Sequence, residues 1–345
     1  MELQEHVNLK SLNTFGIAAK SRYYAEIREK KDLKELVSSG ILNNEKWLVL
    51  GQGSNILFRG DFDGLILKTS LAGITTERLH QDELLVTAAA GESWHRLVMQ
   101  CMDQNWGGIE NLALIPGTVG AAPVQNIGAY GRELSEVVQY VDVIDLESGN
   151  EDRLDQKVCA FGYRESLFKQ PKGKKFFISS VTLRLTTKNH LINTSYGAIG
   201  TVLMGQGIEH PTLQDVGRAV ISIRKEKLPD PQKIGNAGSF FKNPVVDEAR
   251  LESIRNQYST LPFYKTENQQ FKIPAAWLIE TAGWKGKRLG NTGVHEKQAL
   301  VLVNYGGATG EEILDLSQQI MDDVKRKFGV QLQREVQIAG EKSPE

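Results

Sequence analysis

Apolar and polar positions along the chain change period several times, and each change marks an expected element. Residues 23–27 (YYAEI) read as a short strand. In KKDLKELVSSG, Leu33, Leu36 and Val37 share one helical face and Gly40 stands just past the end. KWLVL returns to a strand that runs into the turn GQGSN, and GLILKT and ELLVTAAAG are further strands. A helix follows from Glu92, with Trp94, Leu97, Val98 and Cys101 at helical spacing. Residues 107–133 then form a long loop, rich in glycine and poor in charge. Between 137 and 185 the pattern is mostly β, clearest in VVQYVDVIDLES and KFFISSVTLRL.

Around INTSYGAIGTVLMGQGIEHP the period breaks and a loop is expected. A helix from 212 has Thr212 and Asp215 as a capping pair and Leu213, Val216, Val220 and Ile223 as its buried stripe. Pro229 stops it and marks the candidate domain boundary. Helices are expected near 248–257 and 274–282, the latter with Pro274 in its first turn, followed by the strand QALVLVN. Thr309 with Glu312 caps an amphipathic helix bearing Ile313, Leu316, Ile320, Val324 and Phe328, closed by Gly329. The last element alternates. Val330, Leu332, Val336 and Ile338 point one way with Arg334 among them, and Gln331, Gln333, Glu335 and Gln337 point the other. EKSPE reads as a loose tail.

At 345 residues, two or three domains are expected. A net charge of −1 gives no reason to propose nucleic-acid or membrane-surface binding. The two cysteines, Cys101 and Cys159, form no CxxC pair, and the six histidines lack ligand spacing, so no metal site is expected. Low cysteine use, the absence of an apolar signal core and the absence of a bilayer-length apolar run make the cytoplasm the expected compartment.

Two glycine clusters carry candidate chemistry. GQGSN follows a strand, where backbone N–H groups can meet phosphate oxygens. A Rossmann fingerprint would need a third glycine where Ile56 stands, so that reading fails. Taken alone, a plain tight turn explains GQGSN equally well. IPGTVGAAPVQNIGAYG adds Gly117, Gly120, Gly128 and Gly131 in a loop of a length that is usually functional. Together, on a mixed scaffold without a P-loop lysine, the two favour a large phosphate-bearing cofactor. Arg164 on its own reads as structural, and Arg224 and Lys227 read as cations complementing a helix C-terminus. Glu335, bracketed by glutamines, reads as a solvated strand residue. Ser239 in GNAGSFFKNP lacks the hydrolase elbow pattern, yet small residues and two phenylalanines surround it.

Taken together these strings resemble the UDP-N-acetylenolpyruvoylglucosamine reductase (MurB) family, in its longer-loop branch. NTFGI, LGQGSNIL, IPGTVGAAPVQNIGAYG, YRES, KLPDP, GNAGSFFKNP, AAWLIETAGWKG and HEKQALVLVN occur in family order from residue 13 to about 335. The resemblance implies an α+β chain with a vanillyl-alcohol-oxidase-like (PCMH-type) FAD-binding fold and an additional α/β substrate-binding domain. It divides the chain into residues 1–70 plus 329–345 and residues 71–226, both for FAD, and residues 227–328 for the substrate.

The same resemblance implies an NADPH-dependent flavoenzyme of peptidoglycan precursor synthesis. NADPH reduces bound FAD, and reducing power passes to the enolpyruvyl group of a UDP-sugar. Ser239 would give the proton, with Arg164 and Glu335 stabilising the enolised carboxylate and Glu335 carrying or sharing a proton. Cofactor contacts are implied at Gly51, Gly53, Ser54, Asn55, Gly117, Thr118, Gly120, Gln125, Asn126, Gly128 and Arg224. Substrate contacts are implied at Tyr196, Lys227, Asn243, Gln298 and Tyr264. The implied enzyme is a monomer that binds no nucleic acid or membrane. An FAD oxidase of the same fold class, or a non-catalytic flavin or sugar-nucleotide binder, stands as an alternative. No histidine in either glycine loop offers the covalent flavin tether common among such oxidases.

Overall fold

The computed structural model describes residues 2–266 and 269–341, so most of the expected EKSPE tail lies outside the described residues. The chain forms two compact units, residues 1–7, 22–52 and 64–226, and residues 8–21, 53–63 and 227–345.

In the first unit, a four-stranded sheet has the order Leu3–Asn8, Lys20–Ile27, Phe62–Thr69, Trp47–Leu50. The last two strands run parallel, with Trp47 opposite Leu65 and Leu50 opposite Lys68. The helix Lys30–Ser39 covers it with Leu33 and Leu36, and Gly40 closes the helix in the left-handed region at φ 73°. A five-stranded antiparallel sheet has the order Glu151–Asp155, Val138–Asp145, Phe176–Thr186, Glu83–Ala89, Ile74–Arg78. Against it pack the helix Trp94–Asp103 and the helix Leu213–Lys227, burying Trp94, Leu97, Val98, Cys101, Val216 and Val220 in one core. The expected Thr212–Asp215 cap is present, Thr212 Oγ1 donating to Asp215 at 2.6 Å.

The segment expected as a loop around residues 192–211 holds a helix, Gly197–Gly205, which buries Ile199 and Leu203. Three glycines mask it in the sequence, but the intervening AI and TVLM supply enough apolar surface for tertiary contact to override propensity. The glycine-rich loop is less irregular than expected. It contains the 3-10 turns Glu110–Leu112, Val119–Ala121 and Pro123–Gln125.

The second unit is built on a four-stranded sheet ordered Gly235–Ser239, Val301–Asn304, Thr292–Val294, Arg288–Leu289. The long helix Gly310–Phe328 carries the expected Thr309–Glu312 capping box and the buried Ile313, Leu316, Ile320, Val324 and Phe328. Pro274 stands one place earlier than expected, as the N-cap of Ala275–Thr281. That position suits proline, whose missing N–H would be unpaired there anyway. The C-terminal segment alternates in burial as expected, but only Gln337–Ala339 joins a ladder, parallel to Ile56–Phe58.

Candidate active site

In the first unit the two glycine loops lie against each other. A Cβ on Gly51 would stand 2.7 Å from Thr118 Oγ1, and one on Gly120 would stand 2.5 Å from the Ala90 Cβ. Gln52 Oε1 accepts from Gly117 N–H at 3.1 Å, and Lys68 Nζ donates to the Gly51 carbonyl at 2.7 Å. Burial holds the Lys68 ammonium below the usual lysine range, with Glu26 opposing. Thr118 is buried, and its hydroxyl finds no partner among the described residues. Backbone that only glycine permits, plus an unpaired buried hydroxyl, suits a phosphate-bearing cofactor.

A second cluster in this unit holds Gln125, Asn126, Gly128 and Arg164. Arg164 Nη2 donates to the Gly128 carbonyl at 2.6 Å, and Nη1 reaches the Asn126 carbonyl at 3.5 Å. Its backbone is left-handed at φ 55°, in the tight turn closed by Gly162 and Glu165. Buried Asn126, also left-handed at φ 44°, donates to Glu133 at 2.7 Å and to the Gly162 carbonyl at 3.1 Å. Gln125, the last residue of the 3-10 turn Pro123–Gln125 and next to Asn126, is half-exposed.

The third cluster is cationic and aromatic. Arg224 Nε donates to the Leu114 carbonyl at 3.2 Å, and its guanidinium hydrogen-bonds the Tyr130 hydroxyl. Burial works against the arginine charge and pushes the Tyr130 phenol up. No carboxylate among the described residues partners Arg224, so an anionic ligand group would complete it. Tyr196, exposed, meets Tyr130 edge-on with ring centroids 5.1 Å apart.

The second unit holds Ser239 at the end of the strand Gly235–Ser239, opposite Val301. Its position is set by neighbours. Asn236, buried, accepts from Gly238 N–H at 3.0 Å and donates to the Ile234 carbonyl at 2.9 Å. Gly238 turns the chain at φ 68°. Phe240 and Phe241 are buried, and Phe240 packs edge-on against Phe15.

Glu335 N–H donates to the Phe240 carbonyl at 2.8 Å, and Phe241 bridges Arg334. The acid and the alcohol therefore sit on adjoining backbone, one residue off register. Glu335 is half-buried while Gln333 and Gln337 are exposed, which corrects the reading of a solvated strand face. Asn55 ties in as well, donating to the Glu335 carbonyl at 3.3 Å and accepting from Gln337 N–H at 3.1 Å. Gly53 O accepts from Thr14 N–H at 3.0 Å, and half-buried Ser54 lies between Gly53 and Asn55.

Among the substrate candidates, Asn243 Oδ1 accepts from Ala275 N–H at 2.9 Å, and Gln298 Oε1 accepts from Leu300 N–H at 3.3 Å. Tyr264 is exposed on the short strand Tyr264–Lys265, and Lys227 is exposed at its helix end. Gln52, Lys68, His95, Tyr130 and Asn236 support these clusters and were not singled out from sequence. Only Asn236 left a signal, an Asn two residues before a glycine, the spacing of an Asx turn. Among the described residues no group of three His, Cys, Asp or Glu could hold a metal, and no helix is long and apolar enough to cross a membrane.

The chain matches two family models, an FAD binding domain over residues 21–154 and the UDP-N-acetylenolpyruvoylglucosamine reductase C-terminal domain over residues 230–339. It is 45% identical to a UDP-N-acetylenolpyruvoylglucosamine reductase of Flavobacterium johnsoniae, over 98% of this chain and 100% of the relative. It is also 45% identical to the Pseudomonas aeruginosa reductase, over 97% and 98%. Among solved structures it resembles the reductase (MurB) of Thermus caldophilus, with TM-score 0.66, 20% identity and coverage of 98% and 99%. A solvent-stable cholesterol oxidase aligns with TM-score 0.52, 11% identity and coverage of 97% and 86%. The expected α+β, vanillyl-alcohol-oxidase-like FAD-binding fold is the one found. Near-half identity along almost the whole chain, together with both domain models in order, makes this protein a member of the UDP-N-acetylenolpyruvoylglucosamine reductase family.

Proposed function

We infer that the chain is an FAD-containing, NADPH-dependent oxidoreductase that reduces the enolpyruvyl group of a UDP-sugar to its lactyl ether in peptidoglycan precursor synthesis. Family membership supports the activity. The observation that supports the chemistry is the pairing of Glu335 N–H with the Phe240 carbonyl, which brings the Glu335 backbone to the residue that follows Ser239. FAD, when bound, supplies hydride taken from NADPH to the vinyl carbon.

Ser239 protonates the neighbouring carbon. An alcohol is a weak acid, but it serves against a carbanion of similar basicity when held in line and kept from water. Asn236, Gly238 and the buried Phe240 and Phe241 supply the fixed backbone on which half-buried Ser239 stands. Arg164 and Glu335 stabilise the enolised carboxylate, the first as a fork cation and the second as a shared-proton donor. Arg164 comes to this role with two donors already aligned by the Asn126 and Gly128 carbonyls.

Gly51, Gly53, Ser54, Asn55, Gly117, Thr118, Gly120, Gln125, Asn126, Gly128 and Arg224 hold the flavin. Tyr196, Lys227, Asn243, Gln298 and Tyr264 hold the UDP-sugar. The three-part functional division, residues 1–70 with 329–345, 71–226, and 227–328, belongs to the same proposal, as do a monomeric state and a cytoplasmic site of action.

Anaerobic stopped-flow with Ser239→Ala tests the proton role. NADPH should bleach the flavin at the wild-type rate, while reoxidation by the enolpyruvyl substrate slows about 10²–10⁴-fold. Unchanged reoxidation would remove Ser239 from the chemistry.

A further inference from the structure

Leu114 stands three residues before Gly117 and carries a left-handed backbone, φ 59°, that L side chains disfavour. Two side chains from separate helices hold its two peptide groups. His95 Nδ1, on the helix Trp94–Asp103, accepts from Leu114 N–H at 3.0 Å. Arg224 Nε, on the helix Leu213–Lys227, donates to the Leu114 carbonyl at 3.2 Å. Downstream, the loop is fixed by backbone bonds. Trp94 N–H donates to the Gly117 carbonyl at 3.0 Å, Val119 N–H to Glu92 at 2.8 Å and Gly120 N–H to Ala90 at 2.9 Å. Only Ile115 and Pro116 separate the two anchors.

We propose that His95 and Arg224 clamp Leu114 in its left-handed conformation and so set residues 115–120 in the geometry that holds the flavin, which makes His95 a positioning residue for the cofactor. The proposal rests on the flavin reading above. The bond requires His95 to be neutral with a bare Nδ1. Burial, and then the Arg224 and Lys225 charges, keep its pKa below the usual histidine range. Without the acceptor, Leu114 relaxes toward ordinary φ, and through Ile115 and Pro116 the change reaches the Gly117 carbonyl that Trp94 N–H holds.

The test measures FAD release from the holoenzyme by recovery of flavin fluorescence, with the melting temperature of each variant as a folding check. His95→Leu removes the acceptor and should speed release about tenfold, the scale of one disfavoured backbone conformation. His95→Asn, whose Oδ1 can take the place of Nδ1, should release close to the wild-type rate. Adding Leu114→Asn to His95→Leu should slow release again, because asparagine tolerates the left-handed region without a clamp. A purely structural role for His95 would not give that rescue.

Release from His95→Leu at the wild-type rate, or no rescue by Leu114→Asn, overturns the clamp. Should His95→Leu fail to fold, Leu114→Val carries the same test, since a β-branched residue resists this conformation with both clamp residues intact; unchanged release would overturn the proposal. A colourless wild type would instead sink the flavin reading.

Discussion

Ser239 owes its setting to residues that do no chemistry. Asn236 folds the chain back on itself, Gly238 supplies a conformation other residues resist, and the buried rings of Phe240 and Phe241 anchor the backbone on the far side of the serine. Small residues and phenylalanines around one serine made this legible in the sequence. The left-handed Arg164 and the clamp on Leu114 were not legible, because nothing local in YRES or LALIPG requires a positive φ; distant partners impose it. Glu335 was misread for a related reason. Its glutamine neighbours report solvent, while its own half-burial accompanies a backbone pairing with Phe240, far away in the chain.

Cys101 was expected on the buried face of its helix, from its spacing with Trp94, Leu97 and Val98. Cys101 and Cys159 are both buried, free thiols, and burial pushes each pKa up to about 12. A thiol reagent should therefore label neither in the native protein at pH 8, and both after unfolding. Prompt native labelling of either would contradict this packing.

At the scale of elements, long periodic helices and clear strands were readable because their burial follows their own sequence. The helix Gly197–Gly205 was missed because its glycines signal a break, whereas contact with the core of its unit decides. Glycines also separate two kinds of position by experiment. A Cβ on Gly310 would lie 1.8 Å from the Phe58 carbonyl, where the long helix meets the strand Ile56–Phe58. Gly310→Ala should cost about 1–3 kcal/mol, read as a lowered thermal midpoint. Gly200, mid-helix, has only the Thr194 carbonyl near, at 3.9 Å. Gly200→Ala should raise stability by about 0.5–1 kcal/mol. The opposite order would contradict these packings.

At the scale of the whole molecule, sequence periodicity alone carried the fold only as far as a mixed chain with a boundary near Pro229. The compact units divide at Glu226 and Lys227. Neither unit is one continuous stretch, since residues 8–21 and 53–63 fold with the C-terminal part. Local pattern has no means of reporting such exchanges, which depend on pairings between remote strands such as Gln337–Ala339 with Ile56–Phe58. Motif order supplied the rest, and near-half identity over almost the full chain bears out the family.

The central claim is that this chain carries flavin and spends its reducing power on an enolpyruvyl UDP-sugar. An anaerobic absorption spectrum of the purified protein tests it most directly. The protein should be yellow, lose its flavin band on addition of NADPH, and regain it when the enolpyruvyl UDP-sugar is added. A colourless protein, or a bleached one that the sugar nucleotide leaves bleached, would contradict the account.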